Sequence, residues 1–421
     1  MNEAAKLPQG WIEATIPSII ADNGLFCDGD WIESKDQDPN GEIRLIQLAD
    51  IGDGVFKDKS KRYLTYARAL ELNCTFLSKG DILIARMPDP IGRACIFPLE
   101  GHQKFVTAVD IAIVRLGDSN VLTRYLQYAI NNRYIRRKIE DLQSGTTRKR
   151  ISRANLAKIR FRVPPLEEQH RIVAKIEELF SSLDKGIESL KAAQQQLKIY
   201  RQSVLKWAFE GRLTNNTQVG ELPEGWKCEP LGEIAELCLG KMLDKEKNRG
   251  EYQPYLRNIN VRWGTFDLSS LEMMRFEDSE KERYSVQLGD LVICEGGEPG
   301  RCAIWTSNHT MYIQKALHRV RLLINYHPKY IYYYLFFLAS NGQLEQYFTG
   351  ITMKHLTGRE LKRIKILAPK KYSEQEEIIS QIESRLSICD KLEESINQNL
   401  QQSDVLRQSI LKKAFEGELV T

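Results

Sequence analysis

The sequence predicts an α+β chain: two similar mixed α/β domains joined by two long helices that pair antiparallel, with pseudo-two-fold symmetry. Three observations predict it. Short motifs recur in the same order along the whole chain, displaced by 205 to 215 residues. Within each copy, short apolar runs alternate with Gly, Asp and Pro, as strands and turns do. Each copy then closes on a long proline-free stretch whose apolar residues return every seven positions. Such a narrow seam needs a partner helix rather than a broad core.

The first copy opens with "LPQGW" (7–11), echoed by "LPEGW" (222–226). Strand-like runs follow: "EIRLIQLADIG", "GDILIAR", "ACIFPL" and "DIAIVRL". Among them "KGDILIAR" (79–86) returns as "LGDLVICE" (288–295), and "IGRACI" (91–96) as "PGRCAI" (299–304). One helical run is predicted in each copy, over 123–142 and 328–348, the Tyr-rich part of the second reading as core. "SGTTRKRIS" (144–152) then answers "TGITMKHLT" (349–357).

The long helices come next. From 167 to 210 there is no proline and one glycine, Gly186. Ile176, Leu183, Leu190, Leu197 and Val204 form one register, and Leu179, Gly186, Ala193, Tyr200 and Trp207 a second. The stretch 374–416 places Ile382, Cys389, Ile396, Ser403 and Ile410 on one register and Leu392 and Leu406 on the other. Arg385, Asn399 and Lys413 interrupt that second seam. Gly211 and Gly417 stand where left-handed C-caps belong, in the near-identical endings "SVLKWAFEGRL" and "SILKKAFEGEL". The expected boundaries are a domain over 1–165, a helix over 166–214, a second domain over 215–371 and a second helix over 372–421.

Composition sets outer limits. With 421 residues, 42% hydrophobic and 28% charged, the chain suits several soluble domains. The longest apolar run, "IYYYLFFLA", is about half of a bilayer span, and the N-terminal residues do not read as a secretory signal. A cytoplasmic location without membrane contact is expected. The eight cysteines include no CxxC pair, and the six histidines are not at zinc spacing from them. Scattered reduced thiols and no metal are expected. Phosphate-loop, dinucleotide and nucleophile-elbow motifs are absent, as is a methyltransferase tetrad. No catalytic residue is assigned.

Net charge is only +4, so the placement of charge matters more than its sum. The stretch 144–162 holds Arg148, Lys149, Arg150, Arg153, Lys158, Arg160 and Arg162 and no acid. Its counterpart 349–371 holds Lys354, Arg359, Lys362, Arg363, Lys365, Lys370 and Lys371, with Glu360 as its one acid. A symmetric pair of basic segments, each opened by a Gly-containing turn, suits phosphate contacts on nucleic acid. Two like modules would read two separated segments of one duplex. Their diverged interiors, "FKDKSKRYLTYARALELNCTFLS" against "FDLSSLEMMRFEDSEKERYSVQ", point to unlike half-sites. The rival reading is an assembly scaffold built on the coiled coil, its basic segments binding acidic partners.

These motifs, in this order and nearly end to end, resemble the specificity subunit of a type I restriction–modification enzyme. "VPPLEEQHRIVAKIEEL" leading into the first long helix adds to the resemblance; the second helix departs from it, beginning "APKKYSEQEEI". The resemblance implies that each globular part is a target-recognition domain for one half of an asymmetric, bipartite double-stranded DNA sequence. The helices would set the spacer and dock two methyltransferase subunits, and two restriction (motor-nuclease) subunits could join. The chain would carry no cofactor: S-adenosylmethionine, and ATP with Mg where a restriction subunit is present, would belong to the partners. Carried over by match, Gly145, Thr147, Gly350 and Thr352 fall on the turns, beside Arg148, Lys149, Arg150, Lys354 and Arg359. Arg86, Arg93 and Arg301 fall on the strand–loop segment expected to face DNA.

Overall fold

In the computed structural model, which describes residues 7–88, 90–145, 149–214, 223–244, 246–323 and 325–420, the run "GDILIAR" lies where an unbroken apolar run must. Strand Ile82–Ala85 is buried at all four positions and is paired on both sides. The chain forms two compact units, one of residues 1–190 with 398–421, the other of 191–397. These differ from the four consecutive segments expected, because the ends of the long helices pack into the domain cores.

In the first unit, Ile82–Ala85 pairs antiparallel with Ile111–Arg115 (Ile82 opposite Val114) and with Ala94–Ile96 (Ile82 opposite Ile96). Leu25–Asp28 adds the outer edge. A three-stranded sheet sets Ile43–Ile46 between Arg62–Leu64, antiparallel, and Phe105–Thr107, parallel. The second unit repeats the four-stranded order. Leu291–Cys294 lies between Leu317–Leu322 (Leu291 opposite Val320) and Cys302–Ile304 (Leu291 opposite Ile304), with Ala235–Leu239 outside. A second four-stranded sheet sets Glu251–Leu256 and Met311–Ile313 side by side, parallel, between Glu272–Phe276 and Ser285–Val286.

The helical runs are each broken once. The expected 123–142 helix splits into Thr123–Asn131 and Arg133–Asp141, because extended Asn132 caps the second with its side chain, accepting from Tyr134 N at 2.7 Å. In the other copy Pro328–Ser340 ends before left-handed Gly342, and a 3₁₀ turn, Gln343–Tyr347, follows. Tyr330, Tyr334, Leu335 and Leu338 are buried in the core.

Two single helices follow the domains, Leu166–Phe209 and Tyr372–Glu416. Within the second unit they run antiparallel. Arg201 donates to Asp390 at 2.7 Å and Glu393 at 2.9 Å, Arg385 to the Tyr200 hydroxyl at 3.4 Å, and Gln194 to Asn397 at 3.2 Å. Within the first unit Arg407 donates to Asp184 and lies over the Phe180 ring, 4.5 Å from its centroid.

Seam burial is uneven. Ile176, Leu197, Val204, Ile382, Cys389 and Ser403 are buried, whereas Leu183, Leu190, Ile396 and Ile410 are half-buried. Leu392 and Leu406 are about half exposed, and Gly186 is exposed with open space about it, so the second register is not a continuous apolar seam. Where the helices leave the globular cores, polar and ionic links join the packing.

The duplicated endings have a packing reason. Leu205, Ala208 and Phe209, which close the first helix, lie in the core of the second unit, with Phe209 5.0 Å from the Tyr334 ring. Leu411 and Ala414, which close the second helix, lie in the core of the first unit, where Phe415 meets Tyr125 at 5.3 Å. Each domain therefore holds the start of the helix that follows it and the end of the other. Gly211 (φ +71°) and Gly417 (φ +82°) adopt the left-handed caps the sequence predicts.

Candidate nucleic-acid interface

The repeated motifs build a frame that holds two basic hairpins. In each copy the motif tryptophan clamps the first turn of its long helix: Trp11 Nε1 donates to Glu168 at 3.0 Å and Trp226 Nε1 to Glu374 at 2.9 Å. One residue further, Gln169 accepts from Leu122 N and donates to the Asn120 and Pro164 carbonyls. Gln375 does the same with His327 N and the Asn325 and Pro369 carbonyls. The departure at "YSEQEE" thus leaves the clamp intact.

The Gly-Asp pairs before the central strands are structural as well. Asp81 takes two bonds of 2.7 Å from Arg115, and Asp290 takes 2.8 and 2.7 Å bonds from Arg321. Both carboxylates are buried, and each paired arginine is held charged by its acid, with its pKa raised. Breaking one side of such a pair leaves an uncompensated buried charge.

The three arginines expected to face DNA all have partners within the chain. Arg86 is 2% exposed and paired with Asp28. Arg93, also buried, donates to the carbonyls of Ile51 at 2.7 Å, Leu48 at 3.0 Å and Pro90 at 3.0 Å. Arg301 donates to Glu298 at 2.7 Å and the Asn258 carbonyl at 2.9 Å. Their guanidiniums tie the ends of the central strands to neighbouring segments of the same unit. Arg86 and Arg93 are buried, and a cation so buried must be satisfied within the protein.

The turns lie directly beside those strand ends. Ser144 and Arg150 exchange backbone bonds of 2.8 and 2.9 Å, and Thr349 and His355 exchange two of 2.8 Å. The next residue of each hairpin is tied to the central-strand segment: Ile151 N donates to the Arg86 carbonyl at 3.0 Å and Leu356 N to the Glu295 carbonyl at 2.7 Å. Gly145 (φ +100°) and Gly350 (φ +92°) make the reversal, and a Cβ on Gly350 would meet the Met353 carbonyl at 2.2 Å. Short helices start at once, capped by Ser152 and Thr357.

On this frame Lys149, Arg150, Arg153 and Lys158 are exposed in the first unit, and Thr352, Lys354, Arg359, Lys362 and Lys365 in the second. Lys354 is paired with Glu345 at 2.8 Å and Arg160 with Glu13 at 3.6 Å. Thr147 and Arg148 lie outside the described residues.

A further basic loop was not singled out by the sequence. Burial disfavours the charge on Asp50, but bonds from Gln47 N, Ser60 Oγ and N, and Lys59 N hold its pKa below the usual carboxylate value. The loop so pinned leaves Lys57, Lys59, Lys61 and Arg62 exposed. The signal was a run of alternate cations inside a diverged segment. All eight cysteines are free, and burial pushes the Cys95 thiol up to about 12, far from a nucleophile's range. No described helix is long and apolar enough to cross a membrane.

A family model described as the type I restriction modification DNA specificity domain matches the chain twice, over residues 27–198 and 223–402. The chain is 26% identical over 437 residues to the type I restriction enzyme EcoKI specificity subunit of Escherichia coli (strain K12), covering 99% of this chain and 90% of that protein. It is 27% identical over 428 residues to the StySPI specificity subunit of Salmonella potsdam, covering 98% and 90%.

Two solved structures share the fold. One, described as the structural basis underlying complex assembly and conformational transition of the type I R-M system, gives a TM-score of 0.72 at 19% identity, covering 98% of this chain and 99% of that one. The other, the HsdS subunit from Thermoanaerobacter tengcongensis, gives 0.64 at 18%, covering 99% of each. With the specificity domain matched in both repeats, and one framework carrying both basic hairpins, the chain belongs to the family of type I restriction–modification specificity subunits.

Proposed function

We propose that this chain is the non-catalytic, DNA-reading subunit of its complex, each globular domain reading one half of an asymmetric bipartite target. The observation that carries this is one framework used twice with unlike interiors. The paired strands, buried Asp–Arg pairs and hairpins match, while the segments between them differ in length, charge and sequence. A shared frame with diverged loops is what two independent half-site readers need.

The basic hairpins, through Gly145, Thr147, Arg148, Lys149 and Arg150 and through Gly350, Thr352, Lys354 and Arg359, contact phosphates. The long helices set the gap between half-sites, with the seam through Ile176, Leu183, Leu190, Leu197, Val204, Ile382, Ile396 and Ile410, and dock two methyltransferase subunits. Those partners bring S-adenosylmethionine; a restriction subunit, where one joins, brings ATP and Mg. Sequencing methylated adenines in a host with and without this gene tests the reading. A split asymmetric motif should be lost with the gene, and an unchanged methylation pattern refutes the proposal.

A further inference from the structure

The hairpin of the second unit ends in side chains that its own fold does not use. Ile351 is fully exposed and Met353 is 74% exposed, with Thr352 between them on the tip. Isolated apolar residues on a surface are ordinary. This pair differs in being held out by a braced loop. Beneath the tip lie the two Thr349–His355 backbone bonds, a 3.3 Å bond from Thr349 Oγ1 to the His355 carbonyl, and Gly350 in the left-handed region. The Leu356 N bond to the Glu295 carbonyl fixes its base. A tip so braced cannot simply fold its apolar groups back onto the core.

The surrounding charge says what meets it. Lys354 follows the pair directly, and Arg359, Lys362 and Lys365 are exposed on the next elements of the same unit. Cations beside a phosphate backbone would bring the tip against the bases, where apolar side chains pack on thymine methyls or wedge between base steps. The first repeat carries Thr146 and Arg148 at the matching positions, so the apolar chemistry belongs to one half only.

We propose that Ile351 and Met353 form an apolar, base-contacting tip of the second domain, adding specificity at its half-site without a phosphate contact. This rests on the DNA-reading function proposed above. The basic hairpin supplies sequence-independent attraction, and the tip gains only where the bases accept it.

The test uses the chain assembled with its methyltransferase subunits, as parent and as Ile351→Thr/Met353→Thr. Binding is measured by fluorescence anisotropy over a range of salt, on a duplex carrying the sequence the parent methylates and on a shuffled duplex of equal length. The double variant should bind the target duplex about tenfold more weakly. Its salt slope, its affinity for the shuffled duplex and its melting temperature should stay at parent values. The conservative pair Ile351→Val/Met353→Leu should keep most of the affinity. Equal target affinity in the double variant overturns the proposal, as does a failure to assemble with the methyltransferase subunits, which would make the tip a protein contact. A parent complex that prefers neither duplex refutes the DNA-reading function itself, and the tip proposal falls with it.

Discussion

Phe209 belongs by sequence to the end of the first repeat, yet its ring is buried in the second unit, 5.0 Å from Tyr334 and 5.4 Å from both Tyr330 and Phe337. Phe209→Ala removes a ring that is 3% exposed and leaves a cavity among three aromatic neighbours, a loss of about 4 kcal/mol. That raises local opening roughly a thousandfold. Phe415→Ala is milder, about 2 kcal/mol, because Phe415 is half-buried and meets Tyr125 alone among the described aromatic rings. Hydrogen exchange read by mass spectrometry locates each loss. Phe209→Ala should speed exchange in strand Trp226–Pro230 and helix Pro328–Ser340 and leave Ile82–Ala85 and Ile111–Arg115 at parent rates. Phe415→Ala should do the reverse. Faster exchange confined to residues 12–163 in Phe209→Ala would refute the exchange of helix ends between domains.

Three further outcomes are expected. His318 is buried with Nε2 3.1 Å from the Leu356 carbonyl, and desolvation lowers its pKa to about 4 from the usual 6.5. The second unit should therefore lose about 3 kcal/mol as pH falls from about 6.5 to 4, and hold its full contribution above that window. His318→Ala, the residue of the first repeat (Ala112), should show a flatter pH dependence of melting; parallel curves would contradict it. Lys149→Ala and Lys354→Ala should each weaken binding to all duplexes alike and lower the salt slope by about 0.9, whereas an altered sequence preference at constant slope would place them on bases. Inserting four residues after Gln195 adds roughly 6 Å of helix, so the gap between methylated half-sites should widen by about one or two base pairs while both halves stay the same; an unchanged gap in an active variant would sink the ruler.

The duplication, the central strands, the two long helices and their glycine caps were legible because each rests on local pattern: self-similarity, an apolar run, a heptad, a left-handed residue. The fate of Arg86, Arg93 and Arg301 was not. An arginine in a strand–loop motif reads alike whether it meets phosphate or a buried carbonyl, and the carbonyls of Leu48 and Asn258 lie over forty residues away. Trp11 and Trp226 stood out as repeated without revealing that they hold Glu168 and Glu374, for the same reason of distance along the chain. Leu392 and Leu406 show the limit of periodicity: the heptad locates a stripe, but the partner decides how much of it is covered. The hairpins were found by charge, and their bracing against the central-strand segments emerged only from the fold.

The central claim is that the two domains read their halves independently. Exchanging residues 12–143 for the matching stretch of a relative with another target should change one half of the methylated sequence and leave the other half and the gap intact. The same exchange over 227–348 should change only the opposite half. Each half-site has enough discrimination to be read alone, at about 1–3 kcal/mol per bidentate base contact. Sequencing methylated adenines in hosts carrying the two hybrids measures this directly. One rewritten half in each hybrid is the predicted result; a hybrid that rewrites both halves would show joint reading and contradict the account.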